Sequence, residues 1–96
     1  MNTIIVVAGP VIIENEKVLL VQHGDTDFWK FCGGKFETSD NTLVETVRRE
    51  AKEEMGIGIE IINQCAFTLH IVKETSEGQV DVFLSHFLSK RIGEIV

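Results

Sequence analysis

The 96-residue chain suffices for one domain with a modest core, burying somewhat more than ~60% of its unfolded surface. Its 44% hydrophobic content is ordinary for a globular protein, and no apolar stretch reaches the ~18 residues that cross a bilayer. The net charge of −6 argues against a long nucleic-acid polymer as partner, because phosphate backbones bind basic surfaces; one small phosphorylated metabolite stays compatible with it.

Thr3 to Glu14 reads as a strand, with Gly9-Pro10 predicting a bulge or kink. The apolar run from Ile4 to Ile13 has no basic flank and contains that Gly-Pro pair, which argues against a secretory signal. Glu14-Asn15-Glu16 is a predicted turn, and Lys17 to His23 the returning strand of a hairpin. Gly24 to Asp27 reads as a loop, and Trp29 to Cys32 as a short strand running into Gly33-Gly34. After a polar run from Thr38 to Asn41, Thr42 and Glu45 form a capping box that sets a helix start at Thr42. Leu43, Val44, Val47, Ala51 and Met55 make its apolar stripe, and Gly56 suits the left-handed residue past its end. Beyond it come apolar runs at Ile59 to Ile62 and Ala66 to Val72, a turn at Glu74 to Gly78, and a return from Gln79 to Ser89. Strands bracketing one helix point to a single α/β domain over residues 1–96, on a mixed or antiparallel sheet.

The helix carries Glu50, Glu53 and Glu54 at i, i+3 and i+4, so its carboxylates crowd one face. Like charges at those spacings repel by a few tenths of a kcal/mol per pair. A hard divalent ion offsets such repulsion, since Mg²⁺ binds through a few carboxylates plus substrate phosphates. Taken alone, the cluster reads more readily as a solvated acidic face, because charge-rich helix faces are common. At about 100° per residue, its centre lies roughly a third of a turn from the apolar stripe, so it borders the buried side. Upstream, Gly33 and Gly34 allow a sharp bend and close approach to a ligand, and a free carbonyl there can bind metal.

This glycine-loop-helix block resembles the Nudix box, G-x5-E-x7-R-E-U-x-E-E-x-G-U with U apolar. Arg49, Glu50, Ala51, Glu53, Glu54, Gly56 and Ile57 match every specified position of its second half. Gly33-Gly34-Lys35-Phe36-Glu37 looks like the family's GGKxE opening. The sequence departs from the pattern in places. Cys32 stands where many members have proline, and the loop from Gly34 to Arg49 is one residue longer. No glutamate falls at the first acidic position, so Asp40 or Asn41 must stand there. In the family that residue often pairs with the box arginine. The resemblance implies the Nudix fold, a mixed sheet sandwich with helices on both sides, lacking its C-terminal part here. Either the segment is a truncated product, or a second copy of the chain covers the exposed sheet face as a homodimer.

The resemblance also implies a pyrophosphohydrolase that uses Mg²⁺, with Mn²⁺ as a substitute, on a nucleoside diphosphate linked to another group. A nucleoside triphosphate is the first expectation and ADP-ribose the second. A nucleotide-binding or interaction module on the same fold is the alternative. Glu53 and Glu54 would be principal metal ligands and the Gly33 carbonyl another, with Gly34 completing the bend. Glu50 would be a ligand or the base that activates water. Arg49 would orient the glutamates, lying four residues from both Glu45 and Glu53. An acidic residue supplied from later in the chain has only Asp81 and Glu94 as candidates.

Trp29 and Phe28 could stack on a nucleobase, worth ~1–3 kcal/mol, or be ordinary core. Lys35 could reach a phosphate or stay solvated, and Lys90 and Arg91 are expected to be solvated. His23, His70 and His86 show no ligand spacing and read as packed or solvent-facing. Two cysteines, Cys32 and Cys65, are too few for a disulfide framework. Free buried thiols in a reduced, cytoplasmic setting are expected.

Overall fold

The computed structural model describes residues 3–22 and 29–93. The expectations for His23, Phe28, Glu94 and the loop at 24–27 lie outside these residues. Strand β1 spans Thr3–Glu14, β2 Lys17–Val18, β3 Val21–Gln22, β4 Trp29–Lys30 and β5 Gly34–Lys35. Helix α1 covers Leu43–Met55 and is followed by β6 (Gly58–Ile61), β7 (Phe67–Thr75) and β8 (Gly78–Ile92).

The sheet is mixed, as expected. Its spine is a parallel pair, β1 and β8, in register from Thr3↔Val80 to Ile12↔Ser89. Antiparallel β7 and β6 divide the far edge of β8, while β5 and β2 divide the outer edge of β1. Asn15 and Glu16 take φ of 52° and 64°, the left-handed pair that a two-residue hairpin turn requires.

Two expectations for the first hairpin need correction, and both concern Gly9-Pro10. There is no bulge against β8, since the register passes through Gly9↔His86 and Pro10↔Phe87 without interruption. Instead the returning strand divides into β2 and β3, and β3 leaves to pair with β4 in a separate two-stranded sheet. Proline explains the departure. The Leu19 N–H bonds the Ile12 carbonyl at 2.9 Å, so even-numbered residues of β1 direct their backbone groups to this edge. Pro10 comes next in that alternation and has no N–H to offer, so the ladder cannot continue.

Helix α1 follows from local signals. The Thr42 hydroxyl accepts the Glu45 N–H at 3.2 Å, and Gly56 closes the far end at φ 68°. The reciprocal bond lands one residue earlier than a capping box implies, with the Glu45 carboxylate accepting the N–H of Asn41. Val47, Ala51 and Met55 bury against Ala8, Ile12, Phe87, Ile57 and Ile59. Burial of a side chain the size of Val47 or Ile59 is worth ~1.5–3 kcal/mol, so this seam anchors the helix to one sheet face. The other sheet face is apolar as well, and Leu69, Leu84 and Leu88 lie there without a covering element among the described residues. No helix among the described residues is long and apolar enough to cross a membrane.

Candidate active site

The site begins with a backbone contact. Between β4 and β5 the chain bends at Cys32-Gly33-Gly34 and lies directly on β1. A Cβ on Gly9 would stand 1.9 Å from the Cys32 carbonyl oxygen, and one on Gly33 would stand 2.8 Å from that of Ala8. Gly9 is therefore a glycine to admit the bend. Cys32 is buried beneath it, and its thiol donates to the Glu50 carbonyl at 3.7 Å. Burial, reinforced by the negative charges of Glu54 and Glu50, pushes this thiol up to about 12, so it is inert at neutral pH. Cys65 is exposed, contrary to the expectation that both cysteines would be buried.

The helix carboxylates meet this bend. A Cβ on Gly34 would lie 1.9 Å from Glu50 Oε1, so a larger residue there would displace that carboxylate. Glu54 Oε1 accepts the Gly33 N–H at 3.3 Å. Arg49 Nη1 reaches Glu50 at 3.5 Å and Glu53 at 3.4 Å, gathering the third carboxylate into the group. Glu50 is buried, whereas Glu53 is largely exposed. Burial raises the Glu50 pKa; Arg49 opposes the rise, and the charges of Glu53 and Glu54 add to it.

Arg49 is itself fixed by Asp40. Nε donates to Asp40 Oδ1 at 3.1 Å and Nη2 to Oδ2 at 2.9 Å, a two-point fork. Nη2 also donates to the Lys35 carbonyl at 2.9 Å. The buried Asp40 carboxylate accepts two further bonds, from the Thr46 hydroxyl at 2.9 Å and the Glu37 N–H at 3.1 Å. Arg49 hydrogen bonding holds the Asp40 carboxyl well below the usual range despite its burial. Between Asp40 and Asn41, it is Asp40 that meets the arginine. Glu45 does not, because its carboxylate is spent on the Asn41 N–H at the helix start.

The donor set is carboxylates and backbone carbonyls, the oxygen chemistry that a hard divalent ion takes. Among the described residues no group of three or more acidic, histidine or cysteine side chains is arranged to hold a metal ion by itself. Mg²⁺ does not need one, since it keeps several waters and takes one or two carboxylates with substrate phosphates. Glu50 carries an uncomfortable negative charge beside two more carboxylates, which is the environment a cation relieves.

Other positions are sorted by the tertiary structure. Asp81 bonds His70 at 2.8 Å and accepts from Gln79 at 3.5 Å, and His70 stacks on Phe83 at 4.5 Å. Arg91, expected to be solvated, bonds Glu14 at 2.6 Å. Trp29 is exposed on β4. Phe31, which sequence reasoning passed over, faces the uncovered side of the sheet, its ring 5.1 Å from that of His86. With Phe67, Leu69, Thr68 and Asn63 it lines a groove of about 700 Å³. Lys30, also passed over, places Nζ 3.6 Å from Glu54 Oε1. Strand alternation could have indicated both, since residues 30 and 31 must face opposite sides on the approach to the bend.

The family model described as NUDIX domain matches residues 4–95. Among solved structures, the mutator protein MutT of Bacillus halodurans is similar at 27% identity and TM-score 0.64, covering 96% of this chain and 60% of that one. The Ap4A hydrolase of C. elegans is similar at 25% identity and TM-score 0.65, over 92% of this chain and 68% of that one. A MutT NUDIX hydrolase from Burkholderia pseudomallei shares the fold at TM-score 0.73 and 19% identity, over 99% of this chain and 74% of that one. Comparison with curated proteins found no match. The chain thus spans between 60% and 74% of the length of these three structures.

Proposed function

Because the chain belongs to the Nudix family of phosphoanhydride-cleaving hydrolases, we propose that it is a Mg²⁺-dependent pyrophosphohydrolase of nucleoside diphosphate derivatives. The first substrate candidate is a nucleoside triphosphate, cleaved to a nucleoside monophosphate and pyrophosphate; ADP-ribose is the second. One observation carries this reading. Glu50 and Glu54 close on the Gly33-Gly34 bend, and Arg49 draws Glu53 to them.

Glu53, Glu54 and the Gly33 carbonyl would hold the metal, and Mn²⁺ could replace Mg²⁺. When bound, the ion neutralises phosphate oxygens and lowers the pKa of water. The protein supplies position. Arg49, clamped by Asp40, holds Glu50 and Glu53 through Nη1. Glu50, the shielded member, is suited to take the proton as water adds to phosphorus and the anhydride oxygen leaves. The groove beside Phe31 starts two residues from Gly33 and has the size and apolar lining of a ligand site. We assign the nucleoside to it, with Phe31 and Phe67 as stacking surfaces and Asn63 as a polar contact.

A screen of nucleoside triphosphates and diphosphate-linked nucleosides, with Mg²⁺ or with chelator, tests the proposal. Metal-dependent release of a monophosphate product is expected. Nucleotide binding without product would instead make the chain a binding module.

A further inference from the structure

Lys30 ends β4, paired with Val21, and points its ammonium at the carboxylate cluster. The Glu54 Oε1 atom that it approaches at 3.6 Å is the same oxygen that accepts the Gly33 N–H. Both side chains are partly shielded, Lys30 33% and Glu54 24% exposed. Arg49 and Lys30 are the two cations within ion-pair range of the cluster among the described residues. They are held very differently. Arg49 is bound through Nε and Nη2 to Asp40 and through Nη2 to the Lys35 carbonyl, so leaving would strip a buried carboxylate of its counter-charge. Lys30, on a flexible four-carbon stem, has one ionic partner among the described residues, and that partner is a carboxylate a divalent ion would claim.

We propose that Lys30 is an exchangeable counter-ion. It neutralises Glu54 while the metal is absent, is displaced from that oxygen when a divalent cation arrives, and then places its ammonium on a non-bridging oxygen of the substrate pyrophosphate. The inference rests on the glutamate site assigned above. Its physical basis is competition, since two cations cannot share Oε1 without repelling each other. The displaced ammonium remains beside the bend, where a phosphate chain held by metal presents negative oxygens. Lysine suits this role because it binds phosphate as a mobile point charge rather than as a rigid fork.

Titration of the full chain with Mn²⁺, followed by the loss of the free-ion electron paramagnetic resonance signal, reads the first half of the exchange. Calorimetry with the preformed Mn²⁺–pyrophosphate complex reads the second. Lys30→Gln should bind Mn²⁺ alone more tightly than wild type, yet bind Mn²⁺–pyrophosphate ~10-fold more weakly, the scale of one charge-assisted contact. Lys30→Arg, which keeps the charge, should recover most of the pyrophosphate affinity. Opposite signs in the two measurements distinguish exchange from a structural role, which would weaken both. Weakening of both, or no change in either, overturns the role of Lys30 and leaves the glutamate site standing. Failure of the wild-type chain to bind Mn²⁺ at all would overturn both assignments.

Discussion

Asp40 and Arg49 are joined by two parallel hydrogen bonds, Nε to Oδ1 at 3.1 Å and Nη2 to Oδ2 at 2.9 Å. This fork ties the loop after the glycine bend to the helix that carries the glutamates. Asp40 is one methylene shorter than the glutamate of the family pattern, and the loop is one residue longer. Asp40 meets the guanidinium and still accepts from Thr46 and Glu37.

Asp40→Asn removes the charge without changing shape, so Arg49 should lose its fixed orientation and let Glu50 and Glu53 drift. Loss of a residue that orients metal ligands typically costs ~10–100-fold in metal affinity or activity, and that range is expected here. Stability gives a second signature. A carboxyl held below its unfolded value stabilises fully above the unfolded pKa of ~3.9, and that contribution fades as pH falls through the folded value. The melting-temperature gap between wild type and variant should therefore be constant above about pH 5 and shrink below about pH 4. A gap independent of pH would show that the ion pair is not its source.

Glu50→Gln should have opposite effects on stability and catalysis. Burial raises the carboxyl pKa, so the folded state binds its proton more tightly than the unfolded chain does. The ionised group then destabilises the metal-free protein above the folded pKa, and the penalty vanishes below the unfolded value of ~4.3. In chelator at pH 7 the variant should melt higher, with that gain lost toward pH 4, while turnover falls by ~10²-fold or more for loss of a proton acceptor. Thermal melts and single-turnover rates check the two halves separately.

Two glycines should fail in different ways. Gly9→Ala drives a methyl into the Cys32 carbonyl, a backbone atom that cannot step aside, so expression or melting temperature should collapse. Gly34→Ala meets the end of the Glu50 side chain, which can rotate away. That variant should fold close to normally and lose metal affinity. Circular dichroism melts with Mn²⁺ titration separate the two outcomes.

Divalent metal should raise the melting temperature of the wild-type chain. At ~100 times the dissociation constant the stabilisation is ~2.7 kcal/mol, enough to move a domain of this size by several degrees. The combined Glu53→Gln and Glu54→Gln change should abolish the rise. If it persists in that double variant, the ion binds elsewhere.

Helix α1, its ends and the order of its glutamates were legible in the residues because all three are local. A 3.6-residue period, a threonine start and a glycine stop need no information from distant segments. Whether those carboxylates would point at the glycine bend was not local, and neither was the choice between Asp40 and Asn41, which turns on a fork across nine residues. Gly9 read as a kink in a strand, when its missing side chain makes room for a carbonyl 23 residues away. Pro10 marked a disturbance correctly but on the wrong strand; what it ends is the neighbour's hydrogen-bond ladder. Lys30 and Phe31 carry no motif, and only the alternation of a strand packed between helix and open face sends one toward Glu54 and the other into the groove. The sequence by itself therefore determined the helix and its charges through short-range periodicity and capping. Tertiary packing decided which atoms those charges meet, because backbone approach and ion pairing depend on distances that spacing along the chain does not encode.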